Sequence, residues 1–93
     1  MTTVRQQMIK LLREEELDAM ELSQLLSIPE KEVYEHLPHL VRTLVSSPEK
    51  LIISPYLCLK CNYSFAGRTR FDRPGRCPRC KHTHIRMATY TIR

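Results

Sequence analysis

Four cysteines in two matched pairs are the residues of this chain best suited to chemistry. They are Cys58, Cys61, Cys77 and Cys80, with two residues inside each pair and fifteen between the pairs. A pair spaced in this way on a tight turn can direct both thiols toward one ion, so two such turns supply four sulfur ligands. Four thiolates fill a tetrahedral shell and leave no position for a substrate, which predicts a structural metal site in a zinc ribbon.

Three other uses of these cysteines can be compared with a zinc site. Disulfides are disfavoured because nothing in the sequence indicates export to an oxidising compartment. A thioredoxin-like redox pair requires a Cys-x-x-Cys that opens a helix in a βαβ unit, and two copies flanked by strands do not fit that arrangement. Iron bound as in rubredoxin stays open, because a tetrahedron of thiolates suits either metal. We expect one structural Zn²⁺, with iron as the alternative.

Charge is distributed unevenly along the 93 residues. Residues 1–53 contain six Lys and Arg against nine Asp and Glu, a net charge of −3, whereas residues 54–93 contain nine against one, a net charge of +8. The basic half predicts an anionic partner, most commonly nucleic acid. The plainer interpretation is a solvated basic surface without a partner.

The first half has the apolar periodicity of helices. A first helix begins near residue 4 and ends at the acidic run 14–16, because acids oppose the dipole at a helix C-terminus. Asp18 and Glu21 predict the capping box of a short second helix. Pro29 suits the first position of a third helix. Two helices joined by a three-residue turn predict a helix-turn-helix.

The outer face of the third helix is the candidate surface for reading DNA. A helical wheel places Lys31, Glu35, His39 and Arg42 on this face, and we expect Lys31, His39 and Arg42 to contact bases or phosphates. Acidic residues on the same helix repel phosphate. Pro38 removes one backbone hydrogen bond and predicts a kinked or split helix. A helix-turn-helix used only for packing or dimerisation is therefore an alternative.

The second half predicts a β-hairpin that carries the ribbon at its tip. Residues 51–53 begin one strand that runs to the first cysteine pair, and residues 85–92 form the returning strand. Four strand residues are expected to close the helical core: Leu51, Ile53, Tyr90 and Ile92. Three helices followed by a hairpin make a winged helix-turn-helix, an α+β fold. Its expected domains are 1–57 plus 83–93 for the winged helix-turn-helix and 58–82 for the zinc ribbon.

Aromatic and basic side chains alternate within the ribbon. Tyr63, Phe65 and Phe71 are expected to pack beside the metal. An arginine can bind phosphate through two parallel hydrogen bonds or stack on a base, so the arginines between the cysteine pairs form the predicted nucleic-acid surface. These arginines are Arg68, Arg70, Arg73 and Arg76.

The chain resembles a family of small prokaryotic predicted transcriptional regulators in which a winged helix-turn-helix is fused to a zinc ribbon. The resemblance covers nearly the whole chain. It rests on segments 21–28 and 31–37, on Cys58-Leu59-Lys60-Cys61 followed by Tyr63 and Phe65, and on Arg73-Pro74-Gly75-Arg76-Cys77-Pro78-Arg79-Cys80. It implies a cytoplasmic DNA-binding role, with the four cysteines as zinc ligands. Asn62 and Pro38 depart from the family pattern, which usually has Gly after the first cysteine pair and a polar residue in the helix.

These observations predict a cytoplasmic regulator of transcription that binds duplex DNA and performs no catalysis. No segment approaches the roughly 20 apolar residues that span a bilayer, and the N-terminus lacks the apolar region of a signal peptide. The sequence offers no nucleophile–base pair, paired carboxylates or phosphate-binding glycine loop. Neither a membrane nor a small-molecule substrate is expected as a partner. The alternatives are a protein-interaction module, a homodimer included, and RNA binding through the ribbon.

Overall fold

Three helices and two small antiparallel sheets make up the part of the molecule that the structure describes. In this computed structural model, which describes residues 3–68 and 70–93, the helices are α1 (Val4–Glu14), α2 (Ala19–Leu26) and α3 (Glu30–Thr43), followed by a 3₁₀ turn at Leu44–Ser46. One sheet has the order β1 (Leu17–Asp18), β5 (Thr89–Ile92), β2 (Leu51–Ser54), and the other pairs β3 (Leu57–Cys58) with β4 (Ile85–Arg86). None of the helices in these two ranges is both long and apolar enough to cross a membrane.

The topology is a winged helix-turn-helix with a ribbon inserted at the tip of the wing, as predicted. Strands β2 and β5 pair in antiparallel register, with Leu51 opposite Ile92 and Ser54 opposite Thr89. The chain between these two strands forms the ribbon. Strand β5 also pairs with β1, where Tyr90 lies opposite Leu17. The last strand therefore joins the wing to the connection between α1 and α2.

The strands are shorter than the sequence pattern predicts. Strand β2 ends at Ser54 instead of continuing to the first cysteine, and a new strand begins at Leu57. Pro55 accounts for this break because its ring nitrogen has no hydrogen to donate to a ladder. The returning strand is also interrupted, at Met87 and Ala88. As a result, the wing and the ribbon have separate sheets.

Local capping explains where the helices of the helix-turn-helix begin and end. Asp18 Oδ1 accepts the Glu21 N–H at 2.8 Å and Glu21 Oε1 accepts the Asp18 N–H at 3.0 Å, which confirms the predicted capping box. Ser27 ends α2 in the left-handed conformation, with φ of 57°. Pro29 has a ψ of 147° and lies just before α3, so this helix begins one residue later than predicted.

Of the two outcomes predicted for Pro38, a kinked or a split third helix, the split is wrong. Helix α3 continues across this proline from Glu30 to Thr43. Pro38 has no N–H for the Tyr34 carbonyl, yet buried side chains hold the helix on both sides of it. Val33 and Leu37 before the proline and Leu40 after it are fully buried. Tertiary packing therefore outweighs the one missing hydrogen bond.

A single apolar core connects the helices, the wing and the ribbon. Met8, Leu12 and Leu37 from the helices belong to the same cluster as Tyr90 of β5 and Phe65 of the ribbon. Three of the four strand residues expected to close this core contribute to it: Tyr90 and Ile92 are buried and Leu51 is half-buried. The expectation is wrong for Ile53, which is 42% exposed on the edge strand β2.

Candidate metal centre and nucleic-acid interface

Two tight turns with equivalent hydrogen bonds hold the four cysteines. In the first turn, the N–H of Asn62 donates to the Cys58 carbonyl at 2.9 Å, and in the second, the N–H of Lys81 donates to the Cys77 carbonyl at 2.9 Å. In each turn the first cysteine donates its own N–H to the carbonyl five residues later, at 2.9 and 2.8 Å. The backbone thus fixes both cysteine pairs in the same geometry.

Each turn places the residue after its second cysteine in the left-handed backbone region. Asn62 has a φ of 63° and Lys81 a φ of 67°. The sequence pattern predicts this conformation for Asn62, because asparagine tolerates it. It misses Lys81, for which the conformation costs about 1–2 kcal/mol, although its position matches that of Asn62. A lysine held at this angle indicates that the surrounding turn determines the backbone.

The four thiols converge around a space the size of one metal ion. The sulfur of Cys58 lies 3.5 Å from that of Cys80, the sulfur of Cys61 lies 3.6 Å from that of Cys77, and all four lie within 4.8 Å of one another. Metal–sulfur bonds of about 2.3 Å in a tetrahedron place the sulfurs about 3.8 Å apart. No other cluster of three or more potential ligands occurs within the described residues. The cysteines are therefore positioned to hold one metal ion.

Backbone N–H groups prepare two of these thiols to act as ligands. The N–H of Cys61 lowers the pKa of the Cys58 thiol most strongly, and despite burial the value falls to about 6. Burial raises the pKa of Cys77, but N–H groups of Cys80 and Arg79 outweigh it and the net change is a lowering. Burial raises the pKa of Cys61 to about 12. Since ligation requires thiolates, a metal ion at this site has to displace the proton of Cys61.

An ion pair between Arg73 and Glu30 connects the ribbon to the start of α3. Arg73 donates to the Glu30 carboxylate through Nε at 2.7 Å and through Nη2 at 2.8 Å, and the Tyr34 hydroxyl donates to the same carboxylate at 2.6 Å. The guanidinium holds the pKa of Glu30 below its usual value, and the carboxylate raises the pKa of Arg73. Two parallel charged hydrogen bonds fix orientation as well as distance. Arg73, predicted to bind phosphate, is thus engaged within the protein.

Replacing Glu30 by Gln should loosen the ribbon from α3 and remove part of the fold's sensitivity to acid. Because the pKa of Glu30 is lowered by folding, its contribution is complete above the unfolded-state pKa and is lost as pH falls through the folded-state pKa. The Arg73 and Glu30 side chains are 47% and 26% exposed, so we expect a loss of about 1 kcal/mol at pH 7. Thermal unfolding of wild type and E30Q between pH 7 and pH 3 measures this loss of stability and its dependence on pH.

The matched control for this experiment is Glu32→Gln, since Glu32 lies in the same first turn of α3. The stability difference between wild type and E30Q should shrink toward pH 3, whereas E32Q should follow the wild-type pH dependence. Identical pH curves for E30Q and E32Q would show that the pair with Arg73 contributes nothing.

The other three arginines between the cysteine pairs differ in what they contact. Arg68 Nη2 donates to the carbonyl and the carboxylate of Asp72 at 3.0 and 3.3 Å, and Arg70 lies 3.5 Å from the same carboxylate. Two cations therefore share one acid. Arg76 is exposed, and in the described part of the chain it has no ion pair or side-chain hydrogen bond. Of the four arginines predicted to bind nucleic acid, Arg70 and Arg76 accordingly have the most charge available to an external partner.

The structure brings the outer face of α3 next to the ribbon. Lys31 of α3 and Arg70 of the ribbon line one open groove of about 410 Å³, together with the acids Glu35 and Asp72. Lys31 is exposed, as is Arg42, which lies three helical turns further along the same face. Neither cation has an ion pair with any described residue. The two predicted binding regions, the outer face of α3 and the ribbon, therefore lie side by side. Their cations here are Lys31, Arg42 and Arg70.

His39 differs from the other candidate DNA contacts. It is half-buried, and the charge of Arg5 on α1 lowers its pKa, with smaller effects from burial, Arg42 and His36. His36 itself accepts a hydrogen bond from Arg5 at 3.1 Å. A lowered pKa keeps the His39 imidazole neutral at pH 7. It therefore adds no positive charge to this face at neutral pH.

Comparison with known proteins places the helical half in a family. A family model described as PF0610-like, N-terminal, matches residues 3–52, which is more than half of the chain. The chain belongs to the PF0610-like family. The match contains all three helices and ends within β2, before the first cysteine of the ribbon.

The PF0610-like fold extends through the ribbon. The solution NMR structure of protein PF0610 from Pyrococcus furiosus is similar over 97% of this chain and 88% of that chain, with a TM-score of 0.82 and 26% sequence identity. Coverage of this extent includes the ribbon as well as the winged helix-turn-helix. No curated protein matches the chain.

Proposed function

We propose that this member of the PF0610-like family is a DNA-binding regulator of transcription whose ribbon is stabilised by one structural Zn²⁺. The observation that carries the proposal is the placement of the ribbon. The pair between Arg73 and Glu30 holds it beside α3, so Lys31 and Arg70 border one groove, and Arg42 lies further along the same face of α3. The proposed role is binding without catalysis, since four thiolates would complete the coordination shell of the metal.

In this proposal α3 enters the major groove and the ribbon follows the adjacent phosphates. The internal ion pair of Glu30 removes one acid that would repel DNA from the start of the helix. Arg70 and Arg76 supply the charge that the acidic helical half lacks. Cys58, Cys61, Cys77 and Cys80 would hold the zinc. When bound, the zinc would fix the shape of the ribbon.

Replacing Lys31 and Arg42 together by Ala should weaken binding to a duplex of random sequence. Both side chains are exposed and make no ion pair within the described residues, so their loss should leave the fold intact. A charged hydrogen bond contributes about 1.5 kcal/mol or more, which corresponds to roughly tenfold in affinity for each contact and roughly 100-fold for two. Fluorescence anisotropy of a labelled duplex at low salt measures the change.

The matched control is Lys10→Ala, which removes a cation from the solvent face of α1. K10A should bind duplex DNA within about twofold of wild type. Equal weakening by K10A and by the double variant would mean that binding follows net charge alone and does not use α3. Absence of duplex binding at low salt would overturn the proposal.

A protein-interaction module is the second candidate, and an exposed apolar surface favours it. Val41, Val45 and Ile53 are 41%, 70% and 42% exposed beside the edge strand β2. Since β2 has one neighbouring strand among those described, its outer backbone groups can pair with another chain. Ile53→Lys separates the two candidates, because it should abolish self-association or partner binding and leave duplex affinity unchanged.

A further inference from the structure

Both glycines of the chain lie in the ribbon, and neither the backbone nor the packing requires them. Gly67 and Gly75 have no positive φ, the conformation that favours glycine. A Cβ atom on either residue would meet no heavy atom within 4 Å. Glycine nevertheless costs conformational entropy on folding. We therefore ask whether the open space beside these two glycines serves to bind a ligand.

The two glycines line one open groove of about 450 Å³ on the ribbon. The rest of its lining alternates between apolar rings and cations: Tyr63, Phe65, Arg68, Pro74, Arg76 and Pro78. No acidic side chain lines this groove in the described ranges. Ligand sites in proteins have volumes of about 300–1,000 Å³. The groove has the size and the charge of a site for a small anionic group that carries a ring.

One aromatic ring of this groove is both rigid and accessible. Tyr63 packs edge-to-face against Phe65, with ring centres 5.0 Å apart and an angle of 89° between the planes. Phe65 is 8% exposed and belongs to the core, whereas Tyr63 is half-buried. The core side chain therefore orients the Tyr63 ring while part of the ring lines the groove. A fixed aromatic surface of this kind can stack on a nucleobase.

The cations of the groove lie on the same surface as this ring. Arg76 is exposed, and the Asp72 carbonyl and carboxylate hold Arg68 in place. The bare backbone at Gly67 and Gly75 permits close approach of a sugar–phosphate chain. Bases inside a duplex are stacked on one another and cannot reach Tyr63, whereas an unpaired strand presents them.

We propose that this groove binds single-stranded nucleic acid, with a base against Tyr63 and a phosphate at Arg76. The site lies away from the α3 face and shares Arg76 with the duplex surface proposed above, whereas Tyr63 and the two glycines belong to this groove alone. RNA and single-stranded DNA can both stack a base on Tyr63 and place a phosphate at Arg76, so the test uses an oligonucleotide of each kind. A preference for RNA would indicate a contact to the 2′-hydroxyl.

The test uses the metal-loaded full chain with labelled ten-nucleotide oligo-U and oligo-dT, followed by fluorescence anisotropy. Replacing both glycines by Ala should weaken single-strand binding about tenfold or more while the melting temperature stays the same or rises. Tyr63→Leu should weaken binding to a similar extent, and Tyr63→Phe should retain it because the ring is kept. Ser64→Ala is the matched control on an exposed ribbon residue and should bind as wild type.

Three results would overturn the site. Wild-type affinity of the double glycine variant for both oligonucleotides would show that the groove is not used. Equal loss of binding in Y63L and Y63F would show that stacking is not involved. The variant lacking Lys31 and Arg42 should keep its affinity for single strands. Failure of the α3 proposal would therefore be seen in duplex binding, and failure of the groove proposal in single-strand binding. Binding of a proline-rich peptide in place of either oligonucleotide would also contradict the proposal.

Discussion

Removal of the metal should unfold the ribbon while α1, α2 and α3 keep most of their helical content. The helices bury their own apolar faces, including Met8, Leu22 and Leu37. The ribbon has few buried residues besides Cys58 and Cys77, and its sheet consists of two strands of two residues each. Structural zinc contributes roughly 10–16 kcal/mol in small domains of this type. We therefore expect the metal to supply most of the ribbon's stability.

Hydrogen exchange before and after stringent chelation measures this effect at each amide. Protection should disappear for residues 58–82 and persist in α3. The melting temperature should fall by roughly 10 °C or more, because Tyr56 and Phe65 join the ribbon to the common core. Cys77→Ser should reproduce the loss, and His84→Ser, an exposed neighbour, should not. Unchanged protection of the ribbon after metal removal would contradict a structural role for the metal.

Elemental analysis of the same preparation identifies the metal. One zinc per chain is the expected result. One iron per chain, with the colour of a ferric thiolate site, would replace zinc in the proposal and leave the structural role of the four cysteines in place.

Replacing Tyr90 by Ala should be the most destabilising single substitution in the wing. Its side chain is 1% exposed, and its ring centre lies 6.1 Å from that of Phe71 in the ribbon. In the sheet, Tyr90 lies opposite Leu17 on one side and Ile53 on the other. Removing a buried aromatic ring costs about 3–5 kcal/mol, a large part of the roughly 5–15 kcal/mol that stabilises a typical domain.

The matched control is Tyr90→Phe, which keeps the ring and removes only the hydroxyl. We expect Y90F to lose about 1 kcal/mol or less, since burial of the ring provides most of the contribution. Urea unfolding of wild type, Y90A and Y90F gives the three free energies. A loss below about 1 kcal/mol in Y90A would mean that the wing and the ribbon do not meet at this residue.

Features set by local spacing could be predicted from the sequence. The metal centre depends on cysteines three residues apart on tight turns, and the capping box of α2 depends on Asp18 and Glu21, also three residues apart. Each is fixed by a few neighbouring residues, so the pattern and the structure agree. The order of three helices and a hairpin likewise follows from periodicity and turn residues.

Features set by contacts between distant segments could not be predicted in the same way. The pairing of Arg73 with Glu30 joins residues 43 positions apart, and nothing in a single sequence links them. The run of basic residues therefore predicted a nucleic-acid surface without showing that Arg73 is engaged within the protein. Ile53 has the pattern of a core strand residue, but its exposure depends on the position of β2 at the edge of the sheet. Pro38 shows the opposite case, where long-range packing overrides a local signal.

The salt dependence of duplex binding tests the proposal that α3 and the ribbon together contact DNA phosphates. The logarithm of the affinity should fall linearly with the logarithm of salt concentration, with a slope of about −0.9 for each phosphate contacted. Wild type should show a steep slope, and the variant lacking Lys31 and Arg42 a slope less negative by about 1–2. A wild-type slope near zero, or the same slope in both proteins, would contradict the claim.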